Sequence, residues 1–342
     1  MLRVAPDLDL HLVLGREAVA LDPGRRLVTL DDGSVLEYDG AVLATGATAR
    51  RLPAAAGRVN VHVLRTVEDA AALRDALEPG AQVAVIGAGV LGCEIAATCR
   101  QLDLDVTLIE AFSQPMLKIL GPSVAPIVAD LHGRHGVRLL LGRQVLGLRG
   151  TTEADGVLLD GDEVIDADVV VVAIGATPET RWLEGSGLEL ADGVVCDAEC
   201  FAIGTGRSVV AAGDVARWHH PLLHRRIRVE HWTNAVSQGQ AAGRNLVAAL
   251  SGDTEPTPFD VLPYFWTDQY DTKLQFVGSL GEEAAFEEGE PSDPRFVISY
   301  RTDGRLVGVL CVNWPGRIPQ WRRQIAAELA SSAPTGSRLE VG

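Results

Sequence analysis

Lysine is almost missing from this 342-residue chain: Lys118 and Lys273 are the only two, so arginine carries nearly all the positive charge. That skew is a coding preference and identifies no function. Positive charge as a whole is short, with 30 Lys and Arg against 46 Asp and Glu and a formal net charge of −16. A chain this acidic repels a phosphate backbone, which argues against a nucleic-acid partner. No uncharged apolar run reaches the roughly 18 residues of a membrane-spanning helix, so no membrane span is expected. The opening MLRVAPDLDLHLVLG alternates acids with apolar residues and lacks the basic-then-apolar layout of a signal peptide. Length allows two or three domains, each with its own core.

Cysteine is also sparse. Cys93, Cys99, Cys196, Cys200 and Cys311 make an odd count with no C-x-x-C pair. A disulfide framework is therefore not expected, and a reduced, cytoplasmic protein fits best. Cys196 and Cys200 have three residues between them in VCDAEC, but no second pair completes a zinc site, so no metal is expected. His219, His220, His224 and His231 are interspersed with Arg225, Arg226 and Arg228 and carry no H-E-x-x-H pattern. They read as a solvated basic loop.

What is present is a complete dinucleotide-binding unit. Val83, Ala84, Val85 and Ile86 form the apolar run of a parallel strand buried on both faces. Gly87, Gly89 and Gly92 follow in G-x-G-x-x-G spacing. The first permits a tight turn, the second lets backbone approach a pyrophosphate, and the third lets the next helix pack on the sheet. That helix continues through Glu94, Ile95, Ala96, Ala97 and Leu102, and its free N–H groups and positive dipole end would face the phosphates. Val106 to Ile109 is the second strand, closed by Glu110. An acid there accepts the ribose hydroxyls of the adenosine and repels a 2′-phosphate. Ala111 to Gln114 contain no Arg or Lys to receive that phosphate, so NADH is expected over NADPH.

The rest of the chain is interleaved around this unit. Residues 10–44 read as short strands ending in the apolar run Ala41 to Ala44, then Thr45-Gly46. Residues 66–78 read as a helix with Thr66 as N-cap, and another helix falls around 123–133. Asp168 to Ile174 is a second buried strand, closed by Gly175, and Val209 to Ala212 a third, ending in Gly213-Asp214. Residues 233–250 read as one long helix. The segment 252–260 carries two prolines and marks a boundary, and 261–342 is aromatic and strand-rich with a polar tail.

The order ATGA at 44–47, GAGVLGCE at 87–94, AIGATP at 173–178 and AAGDVA at 211–216 resembles the two-dinucleotide-domain flavoprotein reductases. RVEHWTNAVSQGQAAGRNL followed by PYFWTDQYDTKLQFVG narrows the likeness to the oxygenase-coupled ferredoxin and rubredoxin reductases. The resemblance implies an α/β fold with two interleaved Rossmann-like domains and a small α+β C-terminal reductase domain. It places an FAD domain at 1–63 and 180–252, an NAD domain at 64–179 and the reductase domain at 255–342. It implies that NADH reduces FAD, which passes electrons to a small acidic iron–sulfur protein, ferredoxin or rubredoxin. Hydride transfer then rests on positioning more than on acid–base groups.

The same resemblance implies Gly87, Gly89, Gly92, Glu94, Glu110 and Gly175 on the NAD side, with Glu94 near the nicotinamide. On the FAD side it implies Thr45, Gly46, Gly213, Asp214, Glu230, Trp232 and Trp266. Read from the sequence alone, Asp214 is equally a helix N-cap, Trp266 a core tryptophan, and Glu230 and Trp232 surface and packing residues. Arg225, Arg226, Arg228, Arg317, Arg322 and Arg323 are candidates to dock an acidic partner on an acidic reductase. An NADH oxidase or nitrite-reductase-like flavoprotein, and a non-catalytic remnant that binds NADH alone, are the other readings. Either a monomer or a homodimer is compatible.

One departure stands out. The family carries a first βαβ unit with its own G-x-G-x-x-G ahead of the ATG segment, whereas here the only glycine before Gly24 is Gly15. Roughly 70 residues of the FAD domain are thus expected to be lacking, including its central strand, its diphosphate-facing helix and its ribose acid. Exposed apolar sheet edges are the expected consequence, and an upstream start or a natural fragment are the two explanations.

Overall fold

The computed structural model describes residues 9–331. Its centre is a parallel five-stranded sheet in the spatial order Val61–His62, Val169–Val172, Gln82–Ile86, Asp105–Glu110, Arg138–Leu141. The valine-rich inner strands are buried on both faces, as their unbroken apolar character requires. Helices Val67–Ala76, Val90–Gln101 and Ala125–Arg134 make the crossovers. The first starts on a reciprocal capping box: Thr66 accepts the Asp69 amide and Asp69 accepts the Thr66 amide. Between Arg138–Leu141 and Val169–Val172 the chain folds a three-stranded antiparallel sheet, whose Val157, Leu159 and Ile165 cover Ala84, Ile86 and Val170 on one face of the parallel sheet.

The opposite face joins the C-terminal unit. There a five-stranded antiparallel sheet runs in the order Tyr264–Gln269, Thr272–Gly278, Arg305–Val312, Phe296–Thr302, Glu283–Glu288. Side chains alternate between its faces. Phe276, Ile298, Tyr300 and Leu310 enter the core shared with Val83, Val85, Cys93 and Ala96, while Val277, Val297, Val309 and Cys311 pack under the helix Ile318–Ser331. That helix was not among the sequence expectations, although Ile318, Trp321, Ile325 and Leu329 recur at helical spacing and are all buried.

A fourth cluster gathers Leu43, Val209, Val210, Trp218, Ala242 and Leu246. It is built on the parallel pair Ala41–Leu43 and Val209–Ala211, beneath the long helix Trp232–Ser251. Ala41–Leu43 has no strand on its other side among the described residues, and its Val42 side chain is exposed. All five cysteines are free and buried. No helix among the described residues is long and apolar enough to cross a membrane. The polar C-terminal tail lies outside the described residues.

One buried polar junction ties the parallel sheet's helices to the C-terminal unit. His132, near the end of Ala125–Arg134, is fully buried, with Nε2 3.0 Å from Gln269 Oε1 and Nδ1 3.0 Å from the Tyr270 hydroxyl. Burial depresses this imidazole to about 4. In the unfolded chain it titrates near about 6.5. As pH falls between these values the unfolded state takes up a proton that the folded state refuses, so stability is lost on acidification. His132 is expected to account for about 2 kcal/mol of the stability lost between about pH 7 and about pH 5. Urea-unfolding curves at the two pH values check this, with His132→Gln flattening the difference by that amount.

Candidate functional site

The three motif glycines do different work. A Cβ on Gly92 would sit 1.8 Å from the Gly87 carbonyl oxygen, and one on Gly87 would sit 2.4 Å from the Ala173 oxygen. Both positions are closed by backbone, and Gly87 also needs its φ of +99°. Gly89 differs, since a Cβ there meets nothing within 4 Å. It caps Val90–Gln101 without any side-chain partner, leaving first-turn amides and the positive dipole end facing open space. Glu110 is held at its strand end by the Ala88 amide at 2.6 Å and the Phe112 amide at 3.0 Å, one on each oxygen. Each oxygen keeps a lone pair for a ribose hydroxyl.

Gly89, Val90 and Glu94 form one wall of a cavity of about 670 Å³. Gly175 and Ala176 lie beside them. The facing wall is Glu230, His231, Trp232, Tyr264 and Trp266, with Arg65 between. Six of the residues implied by the family resemblance therefore line a single space: Gly89, Glu94, Gly175, Glu230, Trp232 and Trp266. Trp232 and Trp266 both keep solvent-accessible ring surface, so Trp266 is a cavity wall and not a core tryptophan. Burial lifts the Glu94 carboxyl above the usual range, against the Thr267 hydroxyl and the Asp268 amide, which lower it.

Arg65 is the residue that sequence reasoning missed. Its Nη2 lies 2.5 Å from Asp214 Oδ2, and the Asp214 side chain is largely covered. A Cβ on Gly46 would stand 3.5 Å from the same nitrogen. Thr45, Gly46 and Asp214 thus do not line the cavity themselves, and Asp214 and Gly46 reach it through this guanidinium. Thr45 is fixed by donating to the Glu179 carbonyl at 3.0 Å, and the Glu179 amide returns a bond to Gly46 at 3.0 Å. Gly213 adopts φ +75° and donates its amide to the buried Gln238 at 2.9 Å. The only sequence signal for Arg65 was a cation directly before the Thr66 N-cap.

The basic segment expected as a solvated loop at 219–231 is solvated only in part: His219, His224, Arg225 and Arg226 are exposed, but His220 and His231 are not free in solvent. Ala216–His220 and Arg225–Arg228 pair as an antiparallel hairpin, and His220 is fully buried, its Nε2 3.2 Å from the Val261 carbonyl. His231 caps Trp232–Ser251 and lines the cavity, with its buried Nδ1 unpartnered. Burial lowers its imidazole. Among the docking candidates, Arg226 pairs with Glu189, Arg228 with Asp192 and Glu230, and Arg317 with Glu288, so these three charges are already met.

The cavity fits the ring end of a flavin beside a nicotinamide. Two uncapped helix N-termini, an orphaned imidazole nitrogen and two part-exposed indoles converge on it, which suits planar heterocycles edged with carbonyl and amide groups. Gly89→Ala should leave stability within about 1 kcal/mol while weakening NADH binding, because only the ligand would meet the new methyl. Gly92→Ala should cost more than about 3 kcal/mol through its clash with backbone. Paired measurements of unfolding and of NADH-induced tryptophan quenching separate the two.

Comparison with known proteins gives the same frame. The model for the pyridine nucleotide-disulphide oxidoreductase family matches residues 7–239, and the reductase C-terminal model matches residues 264–335. The chain is 36% identical over 320 residues to the anthranilate 1,2-dioxygenase system ferredoxin–NAD(+) reductase component of Burkholderia cepacia, covering 92% of this chain and 77% of that protein. It is 32% identical over 329 residues to putidaredoxin reductase of Pseudomonas putida, covering 94% and 76%. The solved covalent complex of putidaredoxin reductase with putidaredoxin superposes with a TM-score of 0.84 at 31% identity, over 92% of this chain and 75% of that one. The chain belongs to the pyridine nucleotide-disulphide oxidoreductase family.

Proposed function

We propose that this protein is an NADH-dependent flavoprotein reductase that passes electrons through FAD to a small acidic iron–sulfur protein, a ferredoxin or rubredoxin. The observation that carries the reading is the shared cavity, which is lined both by Gly89, Glu94 and Gly175, expected on the NAD side, and by Glu230, Trp232 and Trp266, expected on the FAD side. Its relatives, named as ferredoxin–NAD(+) and putidaredoxin reductases, support it.

In this reading the domains are 1–63 with 180–252 for FAD, 64–179 for NAD and 255–342 for the reductase unit, with Val61–His62 crossing onto the NAD sheet. Gly87, Gly89 and Gly92 bring the pyrophosphate of NADH onto the helix N-terminus, and Glu110 holds the adenosine ribose. Glu94 and Gly175 frame the nicotinamide. Trp232, Trp266 and the amides that start Trp232–Ser251 hold the flavin ring. Asp214, set by Arg65, takes a ribityl hydroxyl, with Thr45-Gly46, Gly213 and Glu230 around it. Bound FAD would supply the step that the side chains cannot, taking a hydride and releasing electrons singly. The protein's part is orientation and exclusion of water.

The purified chain should carry FAD, be bleached by NADH, and then reduce an added ferredoxin or rubredoxin. NADPH should be at least about tenfold poorer in kcat/KM, because Glu110 repels the 2′-phosphate. A colourless chain that quenches no FAD fluorescence overturns the flavoprotein reading, and equal use of NADPH overturns the role of Glu110.

A further inference from the structure

A second cleft, of about 540 Å³, adjoins the cofactor cavity, and Ile119, His231 and Phe265 line both. Its other sides come from the hairpin of Ala216–His220 with Arg225–Arg228 and from the C-terminal sheet. Every ionisable side chain that lines it is basic: Lys118, Arg225, Arg228 and His231. In a chain with 46 Asp and Glu against 30 Lys and Arg, a cleft without a single acid is not an average piece of surface. Arg228 is already met by Asp192 and Glu230, and burial favours the neutral form of the His231 imidazole. Lys118 and Arg225 differ from them. Both are exposed, and neither pairs with a carboxylate among the described residues. Lys118 instead holds its ammonium 4.2 Å from the centre of the Phe112 ring.

The rest of the lining is mainly apolar, and part of it is aromatic. His231, Phe265 and Phe276 follow one another with ring centres 5.0 Å and 5.8 Å apart, and both phenylalanines are buried. A floor recessed in this way is reached by a small molecule and not by a flat protein surface, and the volume falls within the roughly 300–1,000 Å³ of small-molecule sites. A planar ring would extend the aromatic series. A wholly polar anion such as inorganic phosphate would satisfy the cations but leave the apolar floor uncovered. We propose that this cleft binds a small aromatic carboxylate, its ring against Phe265 and Phe276 and its carboxylate at Lys118 and Arg225, in a site separate from the dinucleotide cavity. The assignment stands on the cleft's own residues and is independent of which cofactors fill the neighbouring space. Since His231 and Phe265 face both, one layer of side chains separates the two sites.

The test is a calorimetric titration of the purified chain with 2-naphthoate, and with 2-naphthamide as its uncharged counterpart. The carboxylate should bind at least about tenfold more tightly than the amide. Lys118→Gln and Arg225→Gln alter exposed side chains, so the fold should be kept, as thermal unfolding will show. Each should weaken naphthoate binding about fivefold or more while leaving the amide unaffected. Leu280→Asp, which sets an acid in the part-exposed lining, should abolish naphthoate binding. Glu94→Gln removes an acid from the cofactor cavity and not from the cleft, so it should leave naphthoate affinity where it was. Tighter binding in Glu94→Gln would place the molecule in the cofactor cavity and overturn the proposal. So would the absence of binding, equal affinity for acid and amide, or an affinity that survives both Lys118→Gln and Arg225→Gln.

Discussion

The contact of Gly92 on the Gly87 carbonyl is the constraint from which the rest follows. Backbone meets backbone there with no room for a methyl group, so the Val90–Gln101 helix lies as close to the sheet as a helix can. That approach points the helix N-terminus along the carboxyl ends of the parallel strands, where α/β sheets bind ligands. It also carries Glu94 to the cavity lip and turns Cys93, Ala96 and Cys99 into the core shared with the C-terminal sheet. A helix held farther out would lose the anion site and the packing surface together.

The parts of this arrangement that were legible in the sequence are the local ones. The strand, turn, helix and acid from Val83 to Glu110 announce themselves because turn geometry, apolar period and charge placement fall within about thirty consecutive residues. The helices at 67–76, 125–134 and 232–251 were read within a residue or two for the same reason. What escaped was tertiary. Arg65 matters because it meets Asp214 and Gly46, and nothing within its own segment points to either. His220 and His231 looked like members of a wet basic loop, but the apolar partners that bury them, such as Phe265 against the His231 ring at 5.0 Å, come from the C-terminal unit. Arg226, Arg228 and Arg317 read as free charge until their acidic partners were in place.

The electrostatics of the site follow a common pattern. Several acids and bases near the cavity are paired: Arg65 with Asp214, Lys273 with Asp268 at 2.7 Å, and Arg228 with both Asp192 and its near neighbour Glu230. In a chain with so large an excess of acid, such pairing keeps local fields modest beside a site meant to hold anionic dinucleotides. Glu94 stands apart because, among the described residues, no cation is paired with it.

The alternation of the Tyr264–Gln269 strand carries a consequence for how this fold tolerates change. Its odd residues are buried and its even ones face outward, Tyr264 and Trp266 onto the cavity, and the hairpin at Gln269 to Thr272, with Tyr270 at φ +58°, sets which is which. A single-residue deletion in that hairpin would turn the indole of Trp266 inward and expose the amide of Gln269, reversing every assignment along the strand at once. Drift in loop length is therefore more dangerous here than substitution at any one of its side chains.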